Sequence, residues 1–161
     1  MLLNGSCHCG AVHFSVQSHT PQPYMRCYCS ICRKTAGGGG YAINIMGQAE
    51  TLKVEGAEHL SVYHARGVDD DPDAVSPGKR HFCKHCGSAL FIADPGWPQW
   101  VYPFASAIDT ALPAPKDRVH IMLDSKATWV QVPAGKHDEH FDDYPDQSIE
   151  AWHKAHGVYV A

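Results

Sequence analysis

At 161 residues and 44% apolar content, the chain has the length of one domain, with apolar material for a core, and a single unit over 1–161 is expected. The formal charge of −4 and the scatter of thirteen Lys and Arg, with only Arg33-Lys34 and Lys79-Arg80 adjacent, leave no basic stripe and argue against nucleic acid as a partner. No basic segment or long apolar run precedes the first cysteine at position 7, so neither a signal peptide nor a membrane span is expected, and a cytoplasmic location follows.

The first feature in chain order is Cys7-His8-Cys9, followed by Ala11 to Val16, where Val12, Phe14 and Val16 alternate as on one face of a strand. Next comes Cys27-Tyr28-Cys29-Ser30-Ile31-Cys32, then the glycines 37–40, which read as a loop ahead of a strand at Tyr41 to Ile45. Thr51 to Glu55 and Leu60 to His64 are further short strand-like runs. Gly67 to Gly78, with Asp69, Asp70, Asp71, Pro72 and Asp73, has the composition of an exposed loop. Cys83-Lys84-His85-Cys86-Gly87 precedes a strand at Ala89 to Ala93, and Ala105 to Asp117 is a Pro- and Ala-rich connection. Trp129 to Val132 is the last predicted strand. One helix is expected near the end, with Asp146 or Ser148 as N-cap, Ile149, Trp152 and His153 at helical spacing, and Gly157 as its stop.

Seven cysteines in three tight clusters carry the chemistry. An odd count cannot pair off into disulfides, and clustered thiols in a reducing compartment more often hold metal. Two of the clusters are pairs, Cys7/Cys9 and Cys83/Cys86, and together they supply the four thiolates of a closed structural zinc site. His8 could also ligate, but neighbours along extended backbone point to opposite faces, which leaves it outward. Pairings in which the middle cluster completes a site with either pair remain open. A CxxC such as Cys83/Cys86 could be a redox dithiol, yet that motif normally opens a helix, and here a β-like run follows. Ligated thiols are deprotonated, so two bound Zn²⁺ ions would bring the net charge to about −7.

The middle cluster offers three ligands from one short loop. Three protein ligands plus an open position is how a catalytic zinc is built, whereas a histidine such as His64, His81 or His120 joining as a fourth would close it. The residues alone leave both possibilities standing. Arg33 and Lys34, directly after Cys32, are candidates to attract an anionic substrate, with a plain surface pair as the alternative.

The runs Gly5 to Val12, Cys27 to Lys34 and Arg80 to Leu90, with His120-Ile121, Trp129, His140-Phe141 and Asp146 to His153, resemble the glutathione-dependent formaldehyde-activating enzyme and centromere protein V family over nearly the whole chain. The resemblance implies a mainly β fold, a zinc-stapled β-tent of small antiparallel sheets with a short C-terminal helix. It implies two zinc ions, one structural at Cys7, Cys9, Cys83 and Cys86 and one catalytic at Cys27, Cys29 and Cys32. The implied activity is that of a carbon–sulfur lyase resembling S-(hydroxymethyl)glutathione synthase, with a small-molecule thiol, glutathione, and an aldehyde as partners. Many members carry His where this chain has Tyr28; its phenol would then shape the pocket, donate a hydrogen bond, or simply pack. Two other readings stand beside the enzyme: a glutathione carrier that accelerates nothing, and a zinc-stabilised scaffold for a protein partner, for which exposed aromatics around Trp97 and Trp100 would serve.

Overall fold

In the computed structural model, which describes residues 1–68 and 71–161, the chain runs β1 (Leu2–Ser6), β2 (His13–Gln17), β3 (Met25–Cys27), α1 (Ser30–Ala36), β4 (Ala42–Ile43), β5 (Gly47–Gln48), β6 (Lys53–Glu55), β7 (Leu60–Tyr63), β8 (Arg66–Val68), β9 (Asp71–Val75), β10 (Lys79–Cys83), β11 (Ala89–Ala93), β12 (Trp100–Pro103), β13 (Val119–Ile121), β14 (Glu139–His140) and α2 (Ile149–Ala155). The fold is mainly β, built from small sheets, as expected. Three sheets are antiparallel, in the orders β1-β2-β6, β5-β12-β11-β10-β7 and β8-β9. The fourth, β14-β13-β3-β4, is mixed, because β13 runs parallel to both β3 and β14. A parallel pair needs a long crossover, and most of the chain passes between β3 and β13.

The alternation around β2 is realised: Val12, Phe14 and Val16 are buried, and β1 adds Leu3 to the same face. Phe14 meets Phe91 of β11 edge to face, with centroids 5.5 Å apart, which ties the first sheet to the second. Cys7 and Cys83 belong to this core. A second core gathers Tyr24, Cys27, Cys32, Phe104, Val119, Ile121 and Trp152 around the mixed sheet. Each cysteine cluster thus sits at the margin of its own apolar core.

Helix α2 forms as its signals predict. Ser148 is the N-cap, its hydroxyl accepting from the Ala151 N–H at 3.1 Å, and Gly157 follows at φ 66°. Trp152 and His153 point inward, with Trp152 stacked on Tyr24 at 3.6 Å between centroids. No helix of the described residues is long and apolar enough to cross a membrane.

Three expectations are corrected. Trp129 to Val132 is not a strand: Trp129 closes a turn with Thr128 and the residues after it are irregular, with Val130 buried against the Gly40 backbone while Trp129 stays exposed. The acidic stretch after Gly67 is largely the hairpin β8-β9; Asp69 and Asp70 lie outside the described residues. A second helix, α1, stands beside the expected one. It spans only seven residues and starts from a cysteine cap, so neither a usual cap residue nor two full turns of periodicity announces it.

Candidate metal centres

Two turns build the first site. Gly10 N–H donates to Cys7 O at 3.0 Å, and Gly87 N–H to Cys83 O at 2.8 Å; both glycines have φ 75°, a left-handed conformation that closes each turn without a Cβ penalty. His8 stands in a turn rather than on extended backbone and is exposed. Its N–H donates to Ser88 Oγ at 3.1 Å, which links the two turns across the sheets. The four sulfurs of Cys7, Cys9, Cys83 and Cys86 lie within 4.8 Å of one another. Cys7 and Cys9 are 3.5 Å apart and Cys9 and Cys83 3.7 Å, spacings that suit four ligands around one ion, and all seven cysteines of the chain are unbridged. Val12 N–H donates to Cys7 Sγ at 3.2 Å. Cys86 is lowered to about 5, above all by the Ser88 hydroxyl. At Cys9 the Ala11 N–H favours the thiolate, but the Cys7, Cys86 and Cys83 sulfurs outweigh it and push it up to about 12.

The second cluster is more local. β3 delivers Cys27, and the start of α1 delivers the other two: Cys29 caps the helix, its sulfur accepting the Cys32 N–H at 3.2 Å, and Cys32 lies one turn in. Their three sulfurs also lie within 4.8 Å of one another, and among the described residues no histidine or carboxylate joins them. His64 is bonded to Ser76 O, His81 to Lys79 O, and His120 to Tyr28, so the three histidines that could have closed the site are engaged elsewhere. Left to protons, the crowded sulfurs do not ionise together. Hydrogen bonds from Cys27 and then Cys32 lower Cys29 to about 2, while the same contact with Cys29 pushes Cys27 upward. Bringing all three to the thiolate calls for a cation among them, and soft sulfur donors suit zinc.

Tyr28 is packed, not free to shape a pocket. Its ring is 1% exposed, and its hydroxyl lies 2.9 Å from Nδ1 of His120, itself 0% exposed. His120 Nε2 has no hydrogen-bond partner, with Asp138 Oδ2 at 3.6 Å, and burial pulls the imidazole below its ordinary range. The buried Tyr28–His120 contact thus anchors the loop between Cys27 and Cys29.

The cations divide between the two clusters. Arg33 and Lys34 lie in the last turn of α1 and line a groove with Ser6, His8, Gly37 and Ser88, on the side of the four-sulfur turns. The guanidinium that reaches the three-sulfur cluster belongs to Arg80, whose Nη2 lies 3.7 Å from Cys32 Sγ and whose Nη1 lies 3.4 Å from Thr35 Oγ1. The two residues are 48 apart in sequence, a pairing that no local pattern announces. Tyr144 was also missed. Its phenol is raised, by partial desolvation first and then by the charges of Cys27, Cys29 and Cys32. It shares a groove with Met25, Trp97, Trp100 and Tyr102, so the exposed aromatics form one wall beside β3.

A sequence model described as "Glutathione-dependent formaldehyde-activating enzyme" matches residues 2–125. A protein of Halomonas elongata, named provisionally for glutathione-dependent formaldehyde activation, is 58% identical over 158 residues, 98% of each chain. A crystal structure of a Rhodobacter sphaeroides protein superposes with a TM-score of 0.53 at 28% identity, covering 68% of this chain and 91% of its own.

Proposed function

Because the chain belongs to the glutathione-dependent formaldehyde-activating enzyme family, we propose that it is a cytoplasmic, zinc-dependent carbon–sulfur lyase that joins or splits a thiol, glutathione, and a small aldehyde. The observation that carries this reading is the contrast between two clusters, one with four sulfurs and one with three and no fourth side-chain ligand among the described residues. On this reading Cys7, Cys9, Cys83 and Cys86 hold a structural zinc, and Cys27, Cys29 and Cys32 hold a catalytic one.

A zinc ion held by Cys27, Cys29 and Cys32 would supply a soft Lewis acid suited to a thiolate. The protein's own residues do the rest. Cys27, Cys29 and Cys32 fix where the thiol sulfur sits, and Tyr28 through His120 keeps their loop from shifting. The thiolate sulfur adds to the aldehyde carbon; the C=O π pair moves to oxygen, which takes a proton from water and gives the S-hydroxyalkyl product. The reverse step breaks the same carbon–sulfur bond. Positioning supplies the acceleration, since holding both reactants at attack distance removes an entropic cost. Arg33 and Lys34 are the residues assigned to the carboxylates of the thiol substrate, supported by their place directly after Cys32 on α1.

The test is metal stoichiometry followed by glutathione titration of the cobalt-substituted protein. Two metals, one with a thiolate-to-cobalt band that responds to glutathione, support the open site; two unresponsive metals refute it and leave the scaffold. A rate with formaldehyde no greater than that of free glutathione would reduce the protein to a carrier.

A further inference from the structure

We infer that Arg80 protects Cys32, so that the sulfur of an incoming thiol, and not one of the protein's own, is the nucleophile at the three-cysteine site. The inference rests on the proposed metal at that site. An aldehyde entering there meets three cysteine sulfurs as well as that of the substrate. All are nucleophiles once ionised, and addition to a cysteine would form an S-hydroxyalkyl side chain, the carbonyl oxygen taking a proton from water, and would cost the site a ligand.

The three cysteines differ in what shields them beyond burial. Cys27 and Cys32 are both buried, at 6% and 4% exposed, and Cys27 has burial alone. Cys29, partly exposed, gives its lone pair to the Cys32 N–H at 3.2 Å. Cys32 faces Nη2 of Arg80 at 3.7 Å and is, among the described residues, the sulfur of this cluster with a cationic partner. A charged N–H donor draws electron density from a thiolate and lowers its reactivity without removing it as a ligand.

The guanidinium is held for this task. Nη1 reaches Thr35 Oγ1 at 3.4 Å, so one fork spans two residues a turn apart on α1, Cys32 and Thr35. Its base is β10, where Arg80 is paired on both sides, opposite Ile92 and Tyr63. Phe82, Phe104 and Tyr63 wall the space around it, and an apolar surround strengthens a charge–thiolate contact. β10 also ends in Cys83, so the strand that anchors one metal cluster aims the counter-charge at the other. An incoming thiol has no such partner. Its sulfur is left the one that is both accessible and without a donor, and Arg80 acts as a positioning residue that selects it.

The test is alkylation of the metal-loaded protein by iodoacetamide, with S–C bond formation and loss of iodide, mapped cysteine by cysteine by mass spectrometry. Arg80→Met is expected to label Cys32 about tenfold faster than the wild type, Arg80→Lys to fall between them, and Cys83 to label at the same rate in all three. An unchanged Cys32 rate in Arg80→Met overturns the inference. So does a Lys variant as fast as the Met variant, or a parallel rise at Cys83, which would report loosening of the whole fold. Should Arg80→Met fail to fold, Arg80→Gln, which keeps N–H donors and loses the charge, is judged by the same criterion. A wild-type cobalt protein silent to glutathione refutes the open site yet leaves this comparison to judge Arg80, whereas a chain that takes up one metal instead of two overturns both.

Discussion

Replacing Cys83 with Ser should damage the fold far more than replacing Cys29 with Ser, and the structure gives the size of the gap. Cys9 and Cys83 are 74 residues apart, so a metal joining them closes a long loop in the unfolded chain. Treated as a cross-link, a loop of that length contributes about 4 kcal/mol. Cys83 is also fully buried, and a serine hydroxyl stranded there costs about a further 1–3 kcal/mol. The sum is a large part of the roughly 5–15 kcal/mol that holds an ordinary domain together. Cys27, Cys29 and Cys32 come from one six-residue segment, whose closure is worth only about 2 kcal/mol by the same relation. Serine at position 29 moreover remains an N-cap for α1, its hydroxyl replacing the sulfur that accepts the Cys32 N–H. With about 2–4 °C of Tm per kcal/mol at this chain length, zinc-replete Cys83→Ser, at about 5–7 kcal/mol, should melt about 10–28 °C below the wild type or not fold, and Cys29→Ser about 4–8 °C below at most. Thermal melts followed by circular dichroism decide it. A Cys29→Ser variant that melts at or below Cys83→Ser would refute the division between a structural and a catalytic cluster.

Tyr28→Phe should cost about 1–3 kcal/mol, because it leaves the buried His120 with neither ring nitrogen bonded, and denaturant titration of the metal-loaded protein would reveal it; a change below about 0.5 kcal/mol would show that the 2.9 Å contact does not matter. Trp152→Ala removes the ring that stacks on Tyr24 and should cost about 3–5 kcal/mol, read from the same titration. His153 accepts the Gln22 N–H at Nε2 and bonds Ile149 O through Nδ1, and burial holds it below its ordinary 6.5. The unfolded chain therefore takes up the proton first as pH falls, so this contribution is complete above pH 6.5 and declines below it. His153→Gln, whose side-chain oxygen can still accept from Gln22, should flatten the loss of stability between pH 7.5 and 5.5 relative to wild type, and equal slopes would argue against it.

What the sequence determined by itself is what depends on short spacing. Two turns that end in Cys9-Gly10 and Cys86-Gly87, a three-sulfur loop, the alternation of Val12, Phe14 and Val16, and a helix capped at Ser148 and stopped before Gly157 all follow from neighbours a few residues apart, because cap, turn and pleat geometry is local. Even there, α1 escaped notice, since seven residues starting from a sulfur cap give too little period to see. Tertiary structure decided everything that needed distant residues to meet. It ran β13 parallel to β3, turned Val130 from a strand residue into a plug over Gly40, and bound His120 to Tyr28 across 92 positions, removing it as a ligand. It also put Arg80, rather than Arg33 or Lys34, against Cys32. The fork of a guanidinium finds its acceptors through the packing of β10 against α1, and the distance between two elements is set by the whole core between them, which no window of sequence contains.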